Sequence, residues 1–242
     1  MMIVEKPWVF ATKQVPECVT CSNDLFSCQH PHISNLSRVR GGVANILLGS
    51  STLHNVWRSR SWDSRKVTNF HYDTIIGGKI HDTHYSYLVN TQHWTGAGNI
   101  VIACGNNNAD SAYNDSYDAI VAQYMSLVKT LFRQNDRHQI VIASLLYAPK
   151  YCDASLPRHK NMLEKVRRVN RWIHKFNKKH TGLQFDIGKY GVDGDPMEGD
   201  SIIYNYHEWK EPSRDRKLHL TDSIKDEIAQ KLVRLYRDME EL

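Results

Sequence analysis

No stretch of this 242-residue chain approaches the roughly 20 consecutive apolar residues that a membrane span requires. The opening Met-Met-Ile-Val-Glu-Lys also lacks the apolar core of a secretory signal. Cysteine is scarce: there are five, an odd number, and Cys104 and Cys152 lie in or beside strand-like apolar runs. That usage reads as reduced thiols in an intracellular, cytoplasmic protein, not as a disulfide framework. None is needed, because a chain of this length buries about 70–75% of its unfolded surface. Net charge is slight, at +5, and no internal repeat stands out.

What charge there is sits in one place. Between Arg158 and Lys179 nine Lys or Arg face one acid, Glu164, a local +8 that leaves the rest of the chain at −3. The first forty residues differ again. Cys18, Cys21, Cys28, His30 and His32 are scattered among Pro, Ser and Asn without periodicity, which predicts an irregular N-terminal arm over 1–40.

From Ala44 onward short apolar runs alternate with helical stripes. The runs Asn45–Leu48, Tyr72–Ile76, Asn99–Cys104, Gln139–Leu146 and Leu183–Ile187 are rich in Val, Ile and Leu and do not alternate with polar residues. Strands buried on both faces of a parallel sheet look this way. Three stripes fall at helical spacing: Ile120 to Phe132, Met162 to Phe176, and Ile224 to Met239, the last with Thr221 or Asp222 as its N-cap. The pattern predicts a three-layer α/β/α domain with a parallel central sheet over 41–242. Gly188–Lys217, rich in Gly, Asp, Pro and Glu, reads as a long functional loop.

Four polar clusters stand where such a sheet gathers its chemistry, at the carboxyl ends of strands. Gly49-Ser50-Ser51 follows Ile46-Leu47-Leu48, and Thr52–Trp57 is expected to begin a helix. A serine at that junction either caps the helix or presents its hydroxyl where developing negative charge is favoured. Gly77-Gly78 follows Tyr72–Ile76 and is either a plain turn or a place where backbone N–H approaches a ligand closely. Gly105-Asn106-Asn107-Asn108 ends the most apolar strand, as an Asn-rich turn or as an amide donor to an oxyanion. His219, between two leucines, precedes the last helix.

As an ordered set these clusters resemble the SGNH (GDSL-type) hydrolases. The resemblance spans Gly41 to the C-terminus and implies a flavodoxin-like α/β/α fold. It implies a serine esterase hydrolysing small acyl or acetyl esters, with Ser51 as nucleophile and His219 as base. The backbone of Ser51, Gly77 or Gly78, with the Asn107 amide, would form the oxyanion hole. The spacing to Ile80 and Asp82 favours Gly77. No metal or organic cofactor is implied. Asn99–Asn108 and Leu218–Leu220 resemble the intracellular esterase domains carried by LINE-type retrotransposons and related mobile elements.

The chain departs from the family pattern at three places. Ser50 and Asn108 stand where the family has aspartates, and neither aspartate is the reacting group. Arg216 occupies the position of the triad acid, with Asp215 one residue further back. The resemblance therefore implies either a Ser-His-Asp triad through Asp215 or a Ser–His dyad. It leaves open a degenerate module that binds RNA or a protein partner through the basic segment 158–179. Gly199-Asp200-Ser201 spells the nucleophile motif literally, but it follows no strand and reads as a loop serine.

Cys18, Cys21, Cys28 and His30 carry the ligand types of a structural zinc site, although the second half matches no standard spacing. Unliganded thiols are the alternative. The basic segment either contacts nucleic-acid phosphates or an anionic membrane, or is simply the solvated face of a helix.

Overall fold

The computed structural model describes residues 32–50, 52–109, 115–146, 157–187 and 221–242. Its centre is a five-stranded sheet: β1 (His32–Ser34), β2 (Ala44–Ser50), β3 (Phe70–Ile75), β4 (Gly98–Ala103) and β5 (Gln139–Ile142). The spatial order is β1-β3-β2-β4-β5. The last four strands are mutually parallel, and β1 pairs antiparallel with β3. Every residue of β2 and β4 is buried, which is why both read as unbroken apolar runs.

Among the described residues five helices accompany the sheet: α1 (Ile80–Thr91), the single turn α2 (Asn106–Ala109), α3 (Tyr117–Gln134), α4 (Pro157–His180) and α5 (Asp222–Glu240). Alternation along β3 sorts them into layers. Phe70 and Tyr72 face one way. Tyr72 stacks on Trp57 (3.8 Å between centroids) and Phe70 meets the edge of Tyr236 in α5 (6.0 Å). Asp73 faces the other way, where His32 Nε2 lies 2.6 Å from its carboxylate and 3.3 Å from Ser86 Oγ of α1. α1 packs on α3 and α3 on α4, and Tyr124 stacks with Trp172 between the last two. The α/β/α sandwich expected from the alternation is thus present.

The exposed edge of β5 is closed by α4. The amide of Asn177 brackets Ile142, accepting from its N–H (2.9 Å) and donating to its carbonyl (2.8 Å). Asn170 does the same for Leu145 (2.7 and 3.1 Å). Two side chains thereby supply the pairing a further strand would give, which leaves no raw edge there to template association.

Three local expectations are corrected. No α-helix begins at Thr52: the chain makes turns and a 3-10 turn at Val56–Arg58, because Asn55 takes a left-handed conformation (φ 62°) that breaks a helix. Leu183–Ile187 is not a strand but touches the sheet through one bridge, Ala143 to Phe185, because α4 already covers that edge. Residues 32–38 of the N-terminal arm are not irregular. They form β1 and a 3-10 turn at Leu36–Arg38, with Leu36 and Val39 buried in the core. A three-residue strand is too short to show a period.

Candidate active site

The order β3-β2-β4 sets three of the four polar clusters side by side. In register, Gly49 stands opposite Thr74 of β3 and Ala103 of β4, and Ser50 opposite Ile75. The serine cluster therefore leaves the sheet between the glycine cluster that follows β3 and the asparagine cluster that follows β4. Gly49 fits closely there: a Cβ would lie 3.2 Å from the Thr74 methyl, which would have to shift by a few tenths of an ångström. Ser50 is buried, and its hydroxyl has no partner among the described residues.

After β3 the chain turns sharply. Gly77 has φ 77°, a conformation that favours glycine, and Gly78 donates its N–H to the Ile75 carbonyl (3.0 Å). A Cβ on Gly78 would stand 2.7 Å from Ile75 Cβ. No described residue accepts the N–H of Gly77.

After β4, Gly105 (φ 118°) delivers the chain into α2, and each asparagine of the run has its own task. Asn106 donates to the Leu146 carbonyl (2.8 Å), tying the turn to the segment beyond β5. Asn107 donates to the Gly78 carbonyl (2.9 Å), tying it to the glycine turn. Asn108 is fully buried. Its Oδ1 accepts the first helical N–H of α1 at Ile80 (3.0 Å), and its amide donates to Asp115 (2.8 Å) and Gln123 (2.9 Å). Tyr124 closes the turn from below by donating its hydroxyl to the Cys104 carbonyl.

Charged groups frame this edge. Asp82 accepts the Lys79 backbone N–H at 2.8 Å and caps α1. Burial pushes its carboxyl up, but hydrogen bonds from His81 and the Lys79 backbone outweigh that and hold it below the ordinary range. It is therefore ionised at neutral pH. Lys79 Nζ lies 3.9 Å from Asp115. On the other side His54 bonds Thr74 Oγ1 through Nδ1 (2.9 Å). Burial, then the charges of Lys225 and Arg58, lower its pKa and keep the ring neutral.

Of the residues singled out from sequence, Gly77, Gly78 and Asn107 are brought together at this edge. Ser51, His219 and Asp215 lie outside the described residues, as do Cys18, Cys21, Cys28, His30 and Ser201. Ser51 is bonded directly to the last residue of β2, and His219 precedes Thr221, the N-cap of α5, by two positions. Among the described residues no group of three His, Cys, Asp or Glu side chains is placed to hold a metal, and no helix is long and apolar enough to cross a membrane. The sequence reading overlooked Asn106 and Asn108 as positioning residues. Three consecutive asparagines after a buried strand were the available signal.

The sequence matches no family model and no curated protein. Solved structures do match. A GDSL-like lipase from Bacteroides thetaiotaomicron VPI-5482 superposes with a TM-score of 0.56 at 14% identity, over 83% of this chain and 89% of that one. The lipase/acylhydrolase from Enterococcus faecalis gives 0.54 at 12%, over 81% and 94%. A carbohydrate esterase family 3 structure from Talaromyces cellulolyticus gives 0.51 at 13%, over 84% and 100%. At such identities the likeness is one of fold: this chain has the α/β/α architecture of the GDSL-type hydrolases.

Proposed function

We propose that the chain is a serine esterase that cleaves small acyl or acetyl esters. The observation that carries this reading is the convergence at one sheet edge. Three adjacent parallel strands end in the serine, glycine and asparagine clusters, and the Asn107 amide is already anchored on Gly78.

In this reading Ser51 Oγ attacks the ester carbonyl while His219 takes its proton. The carbonyl oxygen gains the charge and is held by the Ser51 and Gly77 N–H groups and by the second Asn107 amide hydrogen. Gly77 is preferred because the Gly78 N–H is already donated to Ile75. The intermediate collapses, the alkoxide leaves with the proton from His219, and an acyl-Ser51 ester remains. Water then attacks that ester, giving its proton to His219, and the carboxylic acid departs as Ser51 is reprotonated. Asp215, or a backbone carbonyl, orients the His219 ring. No step calls for a metal or an organic cofactor. The intracellular setting, and the branch of esterase domains carried by mobile elements, are the finer assignments we attach to this reading.

Fluorophosphonate labelling tests it. The wild-type chain should take one label on Ser51, lose it on Ser51→Ala, and hydrolyse p-nitrophenyl acetate. A folded sample that neither labels nor hydrolyses would return the chain to the binding-module reading.

A further inference from the structure

A concave surface lies away from the proposed catalytic edge. The segment 60–66 and the outer face of α5 enclose a groove of about 690 Å³ lined by Arg60, Arg65, Lys66, Arg234 and Arg237, with Trp62 among the other contacts. It sits beside the start of β3, because Trp62 rests on Phe70 (4.5 Å between centroids) and Tyr236 of α5 meets the same ring. The proposed chemistry belongs to the opposite ends of the strands.

The groove is built on a stripe. Gln230, Arg234 and Arg237 follow i, i+4, i+7 spacing on α5 and are exposed, while Ile228, Leu232, Val233, Leu235 and Tyr236 are buried. The facing wall is pinned to the helix: Arg60 donates its N–H to Asp226 (3.0 Å), and Gln230 donates to Ser61 Oγ (3.1 Å). Five cations and one carboxylate line it, a surplus of +4. The carboxylate, Asp63, is engaged within its own loop by Arg65 (3.3 Å) and Lys66 (3.5 Å). The guanidinium groups of Arg60, Arg234 and Arg237 have no carboxylate partner among the described residues, and none of the other α5 acids lines the groove.

We propose that this groove binds single-stranded nucleic acid along its sugar-phosphate backbone. Four arginine forks and one lysine suit phosphate oxygens repeated at short intervals. The half-buried ring of Trp62, held in place by Phe70, offers an aromatic surface on which a base can rest. A membrane surface fits less well. The groove is concave, and the exposed large apolar residues among those described, Val43, Tyr85, Val89 and Leu242, all lie outside it. The basic face of α4 is another cationic surface, but it is one face of a single helix and, among the described residues, it does not line this groove.

Fluorescence anisotropy with a labelled 20-nucleotide single-stranded RNA tests the proposal on the full chain. Affinity should fall with salt at a log–log slope of about −3.5, from about five phosphate contacts at 0.7 each. The Arg234→Glu, Arg237→Glu double variant should bind at least about 30-fold more weakly and with a shallower slope. Lys175→Glu, Lys178→Glu on α4 should stay within about threefold of wild type. A thermal melt checks that each variant is folded. Should the groove variant not fold, photocrosslinking of 4-thiouridine RNA to the wild-type chain must map to peptides containing 60–66 or 230–237. Equal losses on α4 and the groove, crosslinks elsewhere, or equally tight binding of an acidic peptide or anionic phosphatidylserine vesicles would each overturn it.

Discussion

Asn107 donates its side-chain amide to the Gly78 carbonyl at 2.9 Å, so the turn that follows β4 is fastened to the turn that follows β3 across the end of β2. The three strands are neighbours, but the chain separates the two residues by 29 positions. One amide hydrogen is spent on that bond and fixes the orientation of the group. The other is the donor that the proposed oxyanion site would use.

Replacing Asn107 separates catalysis from stability. Asn107→Ala should lower kcat for p-nitrophenyl acetate by ~100- to 1000-fold, the usual cost of one oxyanion donor. It removes one half-buried hydrogen bond, so the loss in folding free energy should be only about 1 kcal/mol. Steady-state kinetics beside a urea titration read both quantities. A rate within threefold of wild type would remove Asn107 from the chemistry.

Gly105 should tolerate no side chain. Its φ of 118° favours glycine, and a Cβ would run into the Tyr124 hydroxyl and stand 3.1 Å from Leu145 Cδ2. Gly105→Ala should therefore cost about 2–4 kcal/mol, combining backbone strain with overpacking. Adding Tyr124→Phe removes the clashing hydroxyl but not the strain. The double variant should be less destabilised than the two single losses together, as measured by urea unfolding.

The two asparagines that close the sheet edge make an additive pair. Asn177→Ala strands the N–H and carbonyl of Ile142, and Asn170→Ala those of Leu145. Each unpaired buried group costs about 1–3 kcal/mol. The sites are seven residues apart on α4, roughly 10 Å by helical rise, so their effects should sum to within about 0.5 kcal/mol. Chemical unfolding of both single variants and the double variant checks the sum. Asn177→Asp should be worse than Asn177→Ala, because a carboxylate would face the Ile142 carbonyl.

Legibility from sequence followed burial. β2 and β4 are enclosed on both faces, so Ile46-Leu47-Leu48 and Ile100-Val101-Ile102 announce themselves. α3 and α5 bury an apolar stripe against a polar outer face and read clearly for the same reason. α1 went unread because its buried side is largely polar: Thr83, His84, Ser86 and Thr91 accompany Ile80 and Tyr87. No hydrophobic period can show when the inward face bonds to its neighbours, as His84 does to Thr130 (2.8 Å). At the site, glycines and asparagines after apolar runs marked the loop ends. The bond from Asn107 to Gly78 and the enclosure of the α5 groove depend on strand order and on contacts over more than 160 residues, which no local pattern encodes.

Two buried histidines predict how stability follows pH. Burial lowers His84 and His138 from 6.5 to about 4. Both are therefore neutral in the folded chain at pH 5, where an unfolded histidine is charged. The unfolded state binds the extra protons, so stability is fully present above pH 6.5 and is lost as pH falls toward 4, below which these groups add no further slope. A fall from 6.5 to about 4 corresponds to about 3 kcal/mol per group as an upper bound. His138 is the cleaner probe: neither ring nitrogen has a partner among the described residues, and the ring lies 5.2 Å from that of Trp94. His138→Phe keeps the aromatic contact and removes the titration. Its urea midpoint should match or exceed that of the wild type at pH 7.5, and its loss between pH 6.5 and 4 should be smaller. An unchanged slope would mean that the folded chain protonates His138 as readily as the unfolded one.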